Sequence, residues 1–296
     1  MSEYFVYNTA PKQVMHPKMS SPPPLFTSKE TSDMMAEAKR KNDSTYWETM
    51  RKVFALDLEN LPMERFKVWA SVMNVPIMSR AVLSDYIRVV LNEIETNEVA
   101  AEAVKEPGIG LTEQDYVQVY RVFNDIQTTM NRIQNMGHLA ITGWTKNISE
   151  LDTIVEIGAG VGDLADIVYK LGFKGKYVIY DFPELLEIQK WYHDKLGHKN
   201  IQYVSDVNEL EAADLCIATW SFTEMPLDLR EEVMGRIGET KNWLVAYSNL
   251  IFGIDNNKYM TEDFVPRFKD HEVTFIDVPS MPWDGGTKYL SVKTQR

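Results

Sequence analysis

A glycine-rich stretch constrains the fold of this chain more than any other feature; its sequence is Glu156-Ile-Gly-Ala-Gly-Val-Gly162. An apolar run typical of a strand, Leu151 to Ile157, leads into it, and apolar residues at helical spacing follow it from Leu164 to Leu171. The next apolar run begins at Lys176 and ends in Asp181. A strand, a tight turn, a helix and a second strand that ends in an acid predict a βαβ unit that binds a nucleoside.

The spacing of the glycines favours one nucleoside cofactor over another. In a dinucleotide fingerprint the third glycine stands one residue later, where this chain has Asp163. A carboxylate at the start of the helix disfavours a pyrophosphate and accepts a cationic sulfonium, while Glu156 suits the charged amino group of a methionine moiety. We therefore expect S-adenosylmethionine, with a dinucleotide and a purely structural turn as the alternatives.

Two segments resemble known families. The pattern E-x-G-x-G-x-G with an acid at the next strand end resembles motif I of the class I methyltransferases. Residues Asp214 to Pro226 resemble the D-L-x(5)-S-F-x-E-M segment of the sugar O-methyltransferase family, as does the strand and helix start from Tyr177 to Glu184. The resemblance covers roughly residues 120–250, and the chain departs from it at Ser248 to Phe252. It implies transfer of a methyl group to a hydroxyl of a sugar or sugar-containing small molecule, such as a nucleotide-sugar.

The hydrophobic pattern predicts an α/β fold with a seven-stranded, doubly wound, Rossmann-like methyltransferase sheet. The last two strands are joined by a loop too short for a helix, so they should form an antiparallel hairpin, which dinucleotide folds usually lack. We expect helices at about 163–171, 183–196, 226–237 and 260–269. We expect strands at 151–157, 176–181, 201–204, 214–219, 243–247, 271–278 and 287–293.

The chain divides into three predicted regions. Residues 1–30 are rich in proline and serine and predict an extended arm. Residues 31–145 predict a mainly helical region that serves as a lid, a substrate surface or a dimer surface; its longest helix should run from Thr112 to Gly137. Residues 146–296 form the predicted domain that binds S-adenosylmethionine.

Ligands of such sheets bind at the carboxyl ends of the strands, so the strand ends supply the candidate site. Asp181 should bind the ribose and Phe182 should lie against the adenine. Asp206 could accept from the adenine amine, cap a helical turn, or do both. Ser221, Asn249 and Trp283 are the candidate substrate contacts. The full set of predicted cofactor residues is Glu156, Gly158, Ala159, Gly160, Asp181, Phe182, Asp206, Val207, Thr219 and Trp220.

An alcohol acceptor is best served by a general base. Glu224 is the first candidate, because it lies about five residues past the fourth strand; its alternative role is a carboxylate at a helix start. His138 is the second candidate, just ahead of the cofactor domain; its alternative role is a structural histidine. We do not expect a metal, although Asp206, Glu224 and Asp284 could together hold a divalent ion.

Composition narrows the partners. The net charge of −12 argues against nucleic acid and anionic membranes as partners, and no apolar run approaches the length of a membrane span. The single cysteine, Cys216, and an N-terminus without a signal-peptide pattern predict a cytoplasmic protein. We therefore expect a small-molecule substrate and a possible homodimer. The alternatives are an O-methyltransferase of another small metabolite, phenolic or polyketide-like, and a non-catalytic binding protein with the same fold.

Overall fold

The computed structural model describes residues 27–41, 43–74, 84–112, 120–123, 126–278 and 287–295. Its centre is a seven-stranded mixed sheet. The strands of this sheet are β3 (Thr153–Ile157), β4 (Lys176–Tyr180), β5 (Ile201–Val204), β6 (Leu215–Thr219), β7 (Asn242–Ser248), β10 (His271–Val278) and β11 (Thr287–Thr294). Each lies within two residues of its predicted bounds.

The strand order is β5-β4-β3-β6-β7-β11-β10. The first five strands pair in parallel, and β11 runs antiparallel to both β7 and β10. The predicted α/β sheet with its antiparallel terminal hairpin is therefore confirmed. The order reverses between β3 and β6, so the chain leaves these two neighbouring strands in opposite directions and opens a crevice at their carboxyl ends.

Helices cover both faces of the sheet, which explains why the parallel strands have continuous apolar sequences. Leu215 to Ala218 in β6 are all buried, for example. One face packs on α6 (Met130–Ile141) and α7 (Asp163–Lys170), and the other packs on α10 (Leu227–Ile237). Helix α8 (Pro183–Leu196) packs on the N-terminal helices and begins and ends as predicted. Cys216 is buried in the core.

The N-terminal region is mainly helical, as predicted. Its helices are α1 (Lys29–Lys41), α2 (Tyr46–Asn60), a 3-10 helix (Met63–Val68), α3 (Ala70–Asn74), α4 (Ser84–Thr96) and α5 (Glu98–Ala103). Residues 1–26, most of the predicted arm, lie outside the described residues.

The long helix predicted from Thr112 to Gly137 is wrong over its middle. Residues 120–129 form an antiparallel ribbon of β1 (Tyr120–Phe123) and β2 (Ile126–Thr129), and the helix α6 begins only after Thr129. The Thr129 hydroxyl accepts from the backbone nitrogen of Arg132 at 3.3 Å and so caps α6.

The remaining elements are small. A ribbon of β8 (Leu250–Ile251) and β9 (Ile254–Asp255) follows β7. The helix predicted at 260–269 is present over residues 256–267, as a run of three short helical segments: an α-helical turn (Asn256–Lys258), a π-helix (Tyr259–Phe264) and a 3-10 helix (Val265–Arg267). A short helix α9 (Ser221–Glu224) follows β6. No helix among the described residues is both long and apolar enough to cross a bilayer.

Candidate functional site

The glycine loop connects β3 to α7 at the carboxyl edge of the sheet. Gly158, Gly160 and Gly162 all have a positive φ (69°, 58° and 89°), a conformation that L side chains rarely adopt. A Cβ on Gly158 would lie 2.3 Å from the Cβ of Ser221, and one on Gly162 would lie 2.7 Å from the His193 ring. The loop therefore requires glycine for backbone shape and for the close approach of neighbouring elements.

Asp181 reaches from the end of β4 to this loop. Its Oδ2 accepts from the backbone nitrogen of Ala159 at 3.0 Å and from Gln189 at 2.7 Å, and its Oδ1 accepts from the backbone nitrogen of Phe182 at 2.8 Å. Burial raises the pKa of Asp181 to about 6, against the lowering effect of these bonds. A carboxylate offers about four acceptor positions, so Oδ1 retains capacity for one more donor, such as a ribose hydroxyl.

Glu156 lies beneath the loop, in the core. It is 3% exposed, and its Oε2 accepts from the Tyr177 hydroxyl at 2.7 Å. Burial raises the pKa of Glu156 to about 8, and the bond from the Tyr177 hydroxyl opposes this rise. Its contact with the amino group of a methionine moiety stays a prediction. In this structure the carboxyl group of Glu156, in β3, is hydrogen-bonded to Tyr177 of the neighbouring strand β4.

Asp163 begins α7 as predicted, but it does not present a free negative charge. Its carboxylate is fully buried and accepts from Lys67 (3.2 Å), Arg132 (3.2 Å), Asn131 (2.8 Å) and Tyr192 (2.8 Å). Burial alone would raise its pKa, but the Lys67 and Arg132 cations outweigh burial and hold the pKa at about 2. Asp163 therefore does not disfavour a pyrophosphate, because Lys67 and Arg132 neutralise its charge.

The end of β6 meets the glycine loop. Trp220 has a φ of 65°, in the left-handed region, and its backbone nitrogen donates to the carbonyl of Ala246 at 2.7 Å. The Ser221 hydroxyl donates to the carbonyl of Ile157, so this predicted substrate contact braces the loop instead of facing an open cavity. Backbone strain of this kind in a non-glycine residue is concentrated at functional sites.

Glu224 ends the short helix α9 and lies under α2. Its Oε2 accepts from the indole nitrogen of Trp47 at 2.9 Å. Burial raises the pKa of Glu224 to about 7, and the bond from Trp47 opposes this rise. The residue is still partly exposed, on the side that faces a cavity of about 430 Å³. A carboxyl group with a pKa near neutrality beside a cavity has the properties of a general base.

The same tryptophan connects Glu224 to the predicted adenine side. The rings of Trp47 and Phe182 are 6.0 Å apart, and the guanidinium of Arg51 lies 5.2 Å from the centre of the Phe182 ring. Arg51 also forms a bidentate ion pair with Glu184 at the start of α8. Helix α2 thus contacts both Phe182 and Glu224.

Four other predicted site residues lie at or near the surface, at the ends of β5, β6 and β7. Asp206 is exposed and caps the turn at Val207–Glu209 through the backbone nitrogen of Asn208, as its alternative role predicted. Val207 packs against the sheet core. Thr219 is partly exposed at the end of β6, and Asn249 is partly exposed after β7.

His138 does not lie in a loop; it lies within α6 and is 1% exposed. Its Nδ1 is hydrogen-bonded to the Tyr289 hydroxyl, and its ring lies 5.1 Å from the Trp220 ring. Burial lowers the pKa of His138 to about 3, so it is neutral at physiological pH. These surroundings support the structural role over that of a base.

Trp283 and Asp284 lie outside the described residues. Among the residues that the structure does describe, no three histidine, cysteine, aspartate or glutamate side chains are arranged to hold a metal ion.

Sequence reasoning missed two residues that shape the site. Trp47 belongs to the apolar stripe of α2, a pattern that indicates packing and gives no sign of its bond to Glu224. Gln189 donates both to Asp181 and to the carbonyl of Gly160 at 2.9 Å. Its signal was available, because Gln189 is a polar residue within the apolar face formed by Leu185, Ile188 and Tyr192.

Comparisons with known proteins complete this description. No protein-family model matches the chain, and neither does any curated protein. Among solved structures, the chain is similar to a precorrin-6y C5,15-methyltransferase from Geobacter metallireducens GS-15 (14% identity, 52% of this chain and 88% of that one, TM-score 0.38). It is similar to a ribosomal protein L11 methylase from Lactobacillus delbrueckii subsp. bulgaricus (16%, 55% and 80%, 0.40) and an rRNA methylase from Streptococcus thermophilus (13%, 53% and 96%, 0.40). Likenesses of this strength assign neither an activity nor a substrate to this chain.

Proposed function

We propose that this protein transfers a methyl group from S-adenosylmethionine to a hydroxyl of a small molecule. The observation that carries the proposal is the contact between the glycine loop and Asp181. Three left-handed glycines and the bond from the Ala159 nitrogen to Asp181 shape a cradle at the carboxyl edge of the sheet, beside the crevice between β3 and β6. The sheet order with its antiparallel hairpin supports S-adenosylmethionine over a dinucleotide.

The residues present fit this cofactor. The positive φ of Gly158, Gly160 and Gly162 gives the loop a sharp turn at the carboxyl edge of the sheet, where ligands of such sheets bind. The Oδ1 atom of Asp181 retains an acceptor position for a ribose hydroxyl. When bound, S-adenosylmethionine supplies a methyl group that its sulfonium has already activated. The protein must then position the acceptor and remove its proton.

Glu224 is the proposed base. Its pKa of about 7 leaves it ionised in part at neutral pH, and its exposed side faces the cavity. Trp47 holds one carboxylate oxygen, so the other is available to accept the proton of the hydroxyl. Loss of that proton leaves the acceptor oxygen free to take the methyl group.

The acidic charge of the chain supports a small molecule over RNA as the acceptor. Within the small molecules, the resemblance in residues 120–250 supports a sugar. There are two alternatives. One is methyl transfer to a phenolic or polyketide-like acceptor, and the other is a non-catalytic binding role. They differ in measurable ways, because a non-catalytic protein does not transfer labelled methyl groups to any acceptor.

Glu224→Gln tests the base. We expect turnover to fall by roughly 10² to 10⁴-fold, with the affinity for S-adenosylmethionine, measured by calorimetry, nearly unchanged. Glu231→Gln is the control, because Glu231 pairs with Arg267 and does not line the cavity beside Glu224; it should leave turnover unchanged. Full activity in Glu224→Gln would overturn the assignment of Glu224 as the base.

A further inference from the structure

The cavity beside Glu224 limits the kinds of acceptor that can bind there. It has a volume of about 430 Å³, within the range of small-molecule sites. Its walls are formed by the end of α9, the start of α10, the turn between β8 and β9, and the residue two positions before α2. The lining residues are Ser44, Glu224, Pro226, Leu227, Asp228, Phe252 and Ile254.

The charge of the residues that line the cavity is the first property that limits the acceptor. Among the described residues, those that line the cavity include two carboxylates, Glu224 and Asp228, and no lysine, arginine or histidine. The nearby cation Arg230 is buried and donates to the carbonyls of Thr223 and Met225 and to Asn256. A diphosphate would therefore meet negative charge without a cation to compensate it.

Hydrogen-bonding capacity is the second constraint. Pro226, Leu227, Phe252 and Ile254 present apolar side chains to the cavity. The polar groups are Glu224, whose Oε2 already accepts from Trp47, with Ser44 and Asp228 at exposed positions. A sugar would place some of its hydroxyls against these apolar side chains, which offer no hydrogen-bond partner. Each hydroxyl left without a partner weakens binding by roughly 5- to 150-fold.

Proton affinity is the third constraint. A phenol has a pKa of about 10, as the tyrosine side chain does, whereas an alcohol hydroxyl is far less acidic, closer to water at about 15.7. A carboxylate base with a pKa near neutrality is matched more closely to the phenol.

On these three grounds we propose that the acceptor is an uncharged phenol whose ring lies against Leu227, Phe252 and Ile254, with its hydroxyl directed at Glu224. This inference rests on the proposed methyl transfer to a hydroxyl of a small molecule, and it favours a phenol over the sugar that the resemblance in residues 120–250 suggests. A nucleotide-sugar does not fit this site, and an uncharged sugar is a poor second.

The test uses the intact protein with labelled S-adenosylmethionine and three acceptors: β-naphthol, methyl glucoside and UDP-glucose. We expect kcat/KM for β-naphthol to exceed that for methyl glucoside by at least roughly 10²-fold, and no transfer to UDP-glucose. Binding of the same compounds is measured by calorimetry with S-adenosylhomocysteine present, so that the site is probed even where turnover is slow.

Two matched variants localise the effect. Leu227 is 47% exposed and lines the cavity, whereas Leu250 is 61% exposed and is not one of its lining residues. Leu227→Ser should weaken β-naphthol binding roughly five- to tenfold, and Leu250→Ser should not change it.

The outcomes separate this inference from the function on which it rests. Transfer to methyl glucoside or UDP-glucose in preference to β-naphthol would overturn the inference and leave methyl transfer intact. Failure of β-naphthol to bind, or equal binding in the Leu227 variant, would also overturn it. Failure of the intact protein to bind S-adenosylmethionine would instead overturn the proposed function.

Discussion

Replacement of Trp47 by phenylalanine tests the link between α2 and the proposed base. The Trp47 indole donates to Glu224 at 2.9 Å, and this bond favours the ionised carboxylate and so lowers its pKa. Trp47→Phe keeps an aromatic ring and removes the donor. The pKa of Glu224 should therefore rise above about 7, and the carboxylate should be ionised only at higher pH.

The magnitude follows from the strength of the bond. A hydrogen bond to a charged group contributes about 1.5 to 3 kcal/mol, and about 1.36 kcal/mol corresponds to one pKa unit. Because Glu224 is partly exposed to the cavity, we expect the lower end, a rise of about one unit. The base acts when ionised, so activity at pH 7 should fall several-fold and recover at higher pH.

The assay is the pH dependence of kcat/KM between about pH 5 and pH 10. The ascending limb should have an apparent pKa near 7 in the wild type and about one unit higher in Trp47→Phe. Trp191→Phe is the control, because Trp191 is partly exposed and packs on Phe66 and Lys195, away from Glu224. An ascending limb at the same pH in both variants would refute the role of Glu224 as the titrating base.

Three further predictions concern the loop and its support. Lys67→Met should lower the free energy of unfolding, measured by urea unfolding, by about 3 to 5 kcal/mol, because it removes one of the two cations paired with buried Asp163 and the cation paired with buried Glu106. In the same assay Lys241→Met, which removes the exposed pair with Asp214, should cost about 0 to 1 kcal/mol. The depressed pKa of Asp163 adds stability that is complete above its ordinary value near 3.8 and is lost as pH falls towards about 2, so Asp163→Asn should flatten the unfolding free energy over that window. Asp181→Asn should weaken S-adenosylmethionine binding roughly 10-fold or more by calorimetry, whereas Asp206→Asn, at an exposed cap, should change it less.

Local sequence signals predicted most of the sheet. Buried parallel strands have apolar sequences that are continuous and short, and each is bounded by residues that begin or end helices, such as Pro183 and Gly197. The hairpin followed from a connection too short for a crossover. Helix α8 and the glycine loop were predicted from the same kind of local evidence.

The helix predicted from Thr112 to Gly137 failed for a physical reason. Phe123, Ile126 and Met130 have a spacing of three to four residues, which suggested one helical face. In the structure these residues belong to a ribbon and to the start of a helix. The β-branched residues Thr128 and Thr129 end the ribbon, and Thr129 caps α6. Residue spacing alone therefore does not distinguish one continuous helix from a short β-ribbon followed by a helix.

The surroundings of the site residues depend on contacts distant in sequence. Trp47 and Glu224 are 177 residues apart, and no local pattern pairs them. Asp163 was correctly placed at a helix start, but Lys67 and Arg132, which neutralise it, come from separate elements. Burial of Glu156 and His138 likewise follows from packing of α6 and α7 on the sheet.

Calorimetric titration of the intact protein with S-adenosylmethionine tests the central claim most directly. The account predicts binding at one site, with a dissociation constant in the range of about 1 μM to 1 mM that enzymes show for their substrates. It also predicts that Gly158→Ala, whose Cβ would lie 2.3 Å from Ser221, abolishes this binding. No heat of binding to S-adenosylmethionine, or saturable binding of NAD in its place, would contradict the account.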